Sequence, residues 1–318
     1  MFIKKDINKE EQKTTRQEIN KDKQQEILEE EKKEKRKKWI IFTFKIMVLI
    51  IVLMTGFYFY TVNYGTKGLI VKETRITNKK IPESFSSAKI VHFSDLLYGT
   101  TIQKKELETL VSLINSRKPD IIVFTGDLID KSHTMDNGKQ EEFISILKGL
   151  NATVGKYAVS GDEDDEETFQ TILKQSNFKV LNDDYDLVYK KDNTPILMIG
   201  LSSLNKQTRD VENAYRYFKE ETHNSDIFTI LLMHETNGLD KILGNYPTDL
   251  VLAGHSLGGR MRIPGLSPFI KKEGSSKYDD TFYQVNNTKV FVSSGIGTNN
   301  YGLRLFQRPS INLFRLSP

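Results

Sequence analysis

The sequence contains no cysteine. That absence excludes disulfide staples, thiolate metal sites and cysteine nucleophiles. It also lacks a concentrated basic face. Of the formal net charge of +4, an excess of three falls in residues 1–38, which carry 13 basic and 10 acidic side chains, and the remainder is close to neutral. Binding to a phosphate backbone needs clustered cations, so no nucleic-acid partner is expected. There is no internal repeat, and no proline- or glycine-rich linker divides the later part of the chain. Only one run approaches the length of a membrane span.

What is present begins with a contrast. Residues 1–38 show almost no apolar periodicity and end in Lys32-Lys33-Glu34-Lys35-Arg36-Lys37-Lys38. They read as a solvated tail, disordered or weakly helical through Glu/Lys pairs at i,i+4 spacing. Trp39 to Tyr60 then reads WIIFTFKIMVLIIVLMTGFYFY, with Lys45 its only charge. As a helix this run would be about 33 Å long, against a hydrocarbon core of about 30 Å. Lys45 is close enough to the basic flank to snorkel toward it. Trp39 at one end and Phe57, Tyr58, Phe59 and Tyr60 at the other supply interfacial aromatics. A cleavable signal peptide would need a shorter leader and a small-residue cleavage site, so an uncleaved signal anchor is expected over 39–61. Six of the seven residues before the run are basic. The positive-inside bias then puts the N-terminus in the cytoplasm and residues 62–318 outside the cell membrane, with the lipid bilayer as partner of 39–61.

From about Thr66 short apolar runs alternate with amphipathic segments, the pattern of an α/β domain with a largely parallel or mixed sheet. Expected strands are Lys89–Phe93, Ile121–Phe124, Lys156–Val159, Ile227–Met233 and Leu250–Ala253. Expected helices are Lys104–Ser116, Gln140–Gly149, Glu166–Gln175 and Asp210–Lys219. The five strands run into Asp95, Asp127, Asp162, His234 and His255. Ligands of open α/β sheets bind at the carboxyl edge of the strands, where loops converge on a rigid frame. One such aspartate can be a helix cap; five carboxylate or imidazole groups point to a metal or phosphate site. Mixed imidazole and carboxylate donors suit Mn, Fe or Zn. His92 reads as a satisfied structural histidine, His133 and His223 as surface residues, and Asp130 as a turn or cap residue.

The blocks FSDLLYG, GDLID, GDED, MHE and GHSLGGRMRIPG, in that order, resemble the successive motifs of the calcineurin-like metallophosphoesterases: D-x-H, GD, GN-H-[DE], a lone H, and GH-x-H followed by GG and PG. The closing stretch VFVSSGIGTNNYGLRLFQRP is similar to the end of the membrane-associated bacterial subgroup. The resemblance spans roughly 88–316. It implies a four-layer α/β sandwich, two mixed sheets flanked by helices, following one N-terminal transmembrane helix, with a dinuclear metal site at the sheet edge.

Four motif positions depart from the pattern. Leu97 and Leu257 stand where the family has histidines, Asp162 replaces the asparagine and Glu163 the histidine of GNH. By the resemblance, the first metal would use Asp95, positions 97 and 257, and bridging Asp127; leucine cannot ligate. The second would use Asp127, Asp162, His234 and His255, all still potential ligands. The acidic run 162–167 otherwise suits a helix start, with only Asp162 and Glu163 read as motif positions. One divalent metal ion is therefore expected. An oxygen-ligated second ion such as Mg²⁺, on Asp95, Asp127 and Glu163, stays open. Two functions follow. One is a membrane-anchored phosphoesterase with weakened activity on a phosphodiester or phosphomonoester, such as an envelope component. There Asp95 would orient the water, Glu163 serve as acid and Arg260 contact phosphate. The other is an inactive pseudoenzyme that keeps the fold as a binding or scaffolding module.

Overall fold

The computed structural model describes residues 3–204, 209–220, 226–259, 273–275, 277–298 and 304–318. The chain divides into two units, Met1–Phe59 and Tyr60–Pro318. Helix α1, Ile3–Asn63, carries the charged tail directly into the apolar run. Exposed pairs at i,i+4 spacing, Lys35–Glu31 and Lys38–Glu34, accompany the polar stretch. Such pairs support a helix without any packed face. This is the one described helix long and apolar enough to cross a membrane, and its apolar window has no buried share.

The second unit is built on two six-stranded sheets. The first contains β1 (Ile70–Thr77), β2 (Lys89–Phe93), β3 (Ile121–Thr125), β4 (Gly155–Val159), β5 (Lys179–Val180) and β12 (Ser310–Ser317), in the order β1-β12-β2-β3-β4-β5. The second contains β6 (Asp184–Val188), β7 (Ile196–Gly200), β8 (Thr229–Met233), β9 (Leu250–Ala253), β10 (Phe282–Val285) and β11 (Thr288–Val292), in the order β10-β11-β9-β8-β7-β6. Strands β2 to β5 pair in parallel, as do β7, β8, β9 and β11. Strand β12 enters between β1 and β2, parallel to the first and antiparallel to the second. Antiparallel edges β6 and β10 complete the mixed second sheet.

Strand periodicity explains the layers. In β3, Ile121 and Val123 face one core while Ile122 and Phe124 face another. In β8, Ile230 and Leu232 join the same inter-sheet core as Ile121, whereas Leu231 and Met233 point to a third. Alternate side chains of a strand leave opposite faces, so each central strand must be apolar on both. Helices α2 (Lys104–Ser116), α3 (Asn137–Lys148) and α4 (Glu166–Gln175) cover the first sheet with stripes such as Leu107, Leu110 and Ile114. Short helices α5 (Val211–Ala214) and α6 (Tyr217–Glu220), with α7 (Leu239–Asn245), lie on the second. The result is the four-layer α/β sandwich expected from the motifs, with the carboxyl ends of β2, β3 and β4 in one sheet and of β8 and β9 in the other leading into the motif residues.

The expected helix over Asp210–Lys219 is broken in two. Tyr215 lies at the break, fully buried, with its hydroxyl 2.8 Å from Thr248 Oγ1 and its ring 4.6 Å from that of Tyr246. Inward anchoring of that side chain outweighs helical continuity.

Phe124 tests the outer core of the first sheet. It is 1% exposed and packs on Phe93 and Phe169 at 5.0 and 6.3 Å between ring centroids. Phe124→Ala is expected to cost about 3–5 kcal/mol, read by denaturant unfolding of the detergent-solubilised chain.

Candidate metal centre

At the sheet edge the chain turns sharply after β2, β3 and β9. Asp95, Leu97, Asp127, His255 and Leu257 all have positive φ, between 47° and 67°. Non-glycine residues enter that region at an energetic cost, and such outliers gather at functional sites. Gly126, at φ 82°, precedes Asp127; a Cβ there would stand 2.6 Å from Nδ1 of His234 and 2.5 Å from the Gly161 nitrogen. Only glycine lets the β3 turn approach the turns after β4 and β8 so closely.

These turns bring four side chains together. Donor atoms of Asp127, Asp162, His234 and His255 all lie within 4.8 Å of one another. His234 Nε2 is 3.2 Å from Asp127 Oδ2 and 3.1 Å from Asp162 Oδ1, and His255 Nδ1 is 2.8 Å from Asp162 Oδ1. Each imidazole is held from behind. Nδ1 of His234 meets the Thr125 carbonyl at 2.6 Å, and Nε2 of His255 meets the carbonyl of Glu273. A ring nitrogen facing a carbonyl must carry a proton, so the other nitrogen is the one that would offer its lone pair to a metal ion set among the carboxylates. Histidine metal ligands are oriented in this way.

The electrostatics also ask for a cation. Burial alone would lower the pKa of His234, but the Asp127 carboxylate, with Asp162 and Asp95, outweighs it and holds the value well above the ordinary one. Without an ion, a proton on His234 supplies the positive charge. Asp164 is pushed up to about 7, first by burial and then by the charge of Asp127. The donor set, two carboxylates and two oriented imidazoles, fits a divalent transition metal.

The family model for calcineurin-like phosphoesterases matches residues 88–259. The chain belongs to the calcineurin-like phosphoesterase family. It is 31% identical over 248 residues to the uncharacterized metallophosphoesterase YkuE of Bacillus subtilis, covering 77% of this chain and 84% of that one. It is 25% identical over 256 residues to a "transmembrane protein with metallophosphoesterase domain" of Danio rerio, covering 76% of this chain and 56% of that protein. An uncharacterized metallophosphoesterase of Campylobacter jejuni is 28% identical over 274 residues, 84% of this chain and 68% of that one.

Beside the four donors stand the two leucines that occupy histidine positions of the resembling motif. Leu97 and Leu257 are each 1% exposed. They keep the left-handed backbone of the motif while presenting only methyl groups. Gly295, at φ 68°, marks the same place from the C-terminal segment. A Cβ on it would stand 2.3 Å from Leu257 Cδ2, 3.1 Å from Asp95 Cβ and 3.4 Å from Arg304 Nη2. Arg304 is fully buried; Nη1 donates to the carbonyls of Ser294 and Gln307 at 2.6 and 3.2 Å, and Nη2 to that of Gly297 at 2.6 Å. A fixed guanidinium therefore lies beside Asp95, next to the leucines.

Of the residues singled out by sequence, Asp127, Asp162, His234 and His255 form the cluster. Asp95 flanks it; its Oδ2 accepts from the His255 N–H at 3.2 Å and from the Ser94 hydroxyl. Glu163 gives its backbone N–H to Asp127 Oδ1 at 3.0 Å, and the residue lines a cavity of about 360 Å³ with Leu128, Lys131, His133 and Phe169. His133 therefore belongs to a cavity wall and packs edge-on against Tyr98. Arg260 and His223 lie outside the described residues. His92 is a satisfied core histidine, 2.9 Å from Thr125 Oγ1, its pKa pushed down by burial to about 3.

Asp164 is more than a helix-start carboxylate. Its carboxylate accepts from the N–H groups of Asp127 and Gly161 at 2.8 Å and of Leu128 at 2.6 Å, so it ties the β3 turn to the β4 turn. It occupies the [DE] position of the quoted motif rather than an ordinary helix start. Glu235, after His234, is engaged elsewhere, paired with the buried guanidinium of Arg209 at 3.0 Å.

The protonation pattern gives a signed prediction. A carboxyl whose folded pKa is raised keeps its proton from 3.8 to about 7 while the unfolded chain loses it, so Asp164 makes the metal-free fold less stable as pH rises through that window. The raised His234 acts in the same direction: its stabilisation is complete below 6.5 and is lost as pH rises through its higher folded value. His92 has the opposite sign, losing stability as pH falls from 6.5 toward 3, but it contributes to both states of a comparison with and without metal. The stabilisation by added Mn²⁺ over EDTA is therefore expected to be small near about pH 4 and to grow steadily to about pH 8, read as the difference in Tm.

Proposed function

We propose that this chain is a membrane-anchored, metal-dependent phosphohydrolase that uses a single divalent ion, held by Asp127, Asp162, His234 and His255. The observation that carries the reading is the convergence of four donor atoms within 4.8 Å, with both imidazoles turned inward by backbone carbonyls. When bound, such an ion supplies Lewis-acid polarisation of a phosphoryl group and acidifies water. Asp95, held by the His255 N–H, orients the attacking water. Glu163, between the metal centre and the adjoining cavity, protonates the leaving group. Arg260 contacts the phosphate. The cavity beside Glu163 receives the alcohol part of a phosphodiester or phosphomonoester.

In the same reading, α1 anchors the chain in the cell membrane with the N-terminus cytoplasmic, so the substrate is a phosphate ester at the outer face. The six basic residues before the apolar run support this orientation. Replacement of the first metal by Leu97, Leu257 and the neighbouring Arg304 removes half of the charge that a two-ion site sets against the transition state. Turnover is accordingly slow.

A specific observation favours a second reading. Both vacated ligand positions are filled by buried leucines rather than by polar residues, as in a fold kept for binding alone. Assay of the detergent-solubilised chain on bis(p-nitrophenyl) phosphate and p-nitrophenyl phosphate, with Mn²⁺ or EDTA, separates the two. The hydrolase reading expects Mn²⁺-dependent product that His234→Ala reduces by at least about a hundredfold. Absence of metal-dependent product on either ester supports the binding module.

A further inference from the structure

The end of the apolar run meets the C-terminal segment in a small aromatic cluster. Tyr60 stacks on Tyr64 with ring centroids 6.3 Å apart and lies 5.7 Å from Phe306. Tyr64 and Phe306 are nevertheless 64% and 53% exposed. Phe306 is not a loose side chain on a floppy loop. Its neighbours Leu305 and Gln307 are buried, and Gln307 Nε2 donates to the Gly258 carbonyl at 2.6 Å. The backbone holds Phe306 outward at φ 53°, a strained value for a phenylalanine. Beside it Arg304 N–H reaches the Thr61 carbonyl at 3.4 Å, and the Gly65 backbone lies so close to the Arg304 carbonyl that a Cβ would stand 1.9 Å from it. The segment is thus packed directly against residues 60–65.

Charge flanks the rings. Lys67 and Arg308 are exposed, Arg308 Nε donates to the Lys67 carbonyl at 3.3 Å, and its guanidinium covers Gly68. Exposed aromatics in contact with one another, bordered by basic side chains and continuous with the end of an apolar run, match a bilayer interface: rings at headgroup depth, cations against lipid phosphate. Water gives no reason to hold Phe306 outward in a strained conformation.

We propose that Tyr60, Tyr64 and Phe306, with Lys67 and Arg308, form a seat in the headgroup layer that fixes the phosphoesterase domain on the lipid surface where the anchor emerges. The inference rests on the membrane-anchor reading and extends it from a tether to an oriented contact. It also ties the seat to the metal centre, because Arg304, two residues before Phe306, reaches the side of Asp95. Two residues span at most about 7 Å, so the seat and the centre share one short, packed segment.

Trp39 is the only tryptophan, which makes quenching by brominated lipids a direct test. The unmodified full chain is reconstituted into phosphatidylcholine/phosphatidylglycerol vesicles and reports the anchor through Trp39. In a Trp39→Phe background, Phe306→Trp reports the seat and Tyr189→Trp, at another exposed aromatic, reports the remote surface. Quenching by shallowly brominated lipid is expected to be at least about twofold stronger at 306 than at 189. Equal quenching at the two positions, or none at 306 while Trp39 is quenched, overturns the seat and leaves the anchor standing. An unquenched Trp39 overturns both. Turnover does not enter the readout, so failure here is separate from failure of the hydrolase reading.

Discussion

The site depends on the mutual repulsion of carboxylates that the fold forces together in a nearly dry edge. Asp95, Asp127 and Asp164 are buried at the ends of neighbouring strands, and Asp162 is only slightly exposed. Like charges in such surroundings ionise together only if positive charge is brought to them. The chain supplies that charge in three ways. His234 holds a proton against the pull of its own burial, backbone N–H groups converge on Asp164, and the guanidinium of Arg304 stands beside Asp95. A divalent ion among Asp127, Asp162, His234 and His255 answers the same demand with two charges in one place.

The two halves of the dinuclear pattern implied by the resemblance carry different residue types in this chain. Where the four-donor cluster lies, every side chain remains a donor and every imidazole is aimed. Where the resemblance would put the other ion, Leu97 and Leu257 lie buried in positive-φ turns, with the immobile guanidinium of Arg304 near by. Backbone turns are set by the strands behind them and by close approaches such as Gly295 beside Leu257, so a leucine can occupy the same turn as a ligating residue.

Much of this was legible in the sequence, for identifiable reasons. The five expected strands are continuous apolar runs that end next to the motif residues, whereas the interior strands β7, β11 and β12 end at none and were not expected; α2 and α4 match their expected bounds because each carries one clear apolar stripe. The edge strands were not legible: β6 and β10 are half-exposed and alternate weakly, and β5 is two residues long. Asp164 had a signal in the [DE] position of the resembling motif, but among acidic helix-start residues it read as a dipole partner until the N–H groups of Asp127 and Leu128 were seen to point at it. The carbonyl of Glu273 behind His255, and Arg304 behind Asp95, gave no signal at all. Backbone acceptors carry no residue type, and a buried arginine reads from sequence like any surface one.

The most direct test of the account is the number and position of bound ions, from elemental analysis and anomalous scattering on the Mn²⁺-loaded chain. One ion per chain, contacted by Asp127, Asp162, His234 and His255 with the Leu97–Leu257 side dry and ion-free, is the predicted result. A pair of ions, the second between Asp95 and Asp127, would contradict it, as would a fully folded chain that takes up none.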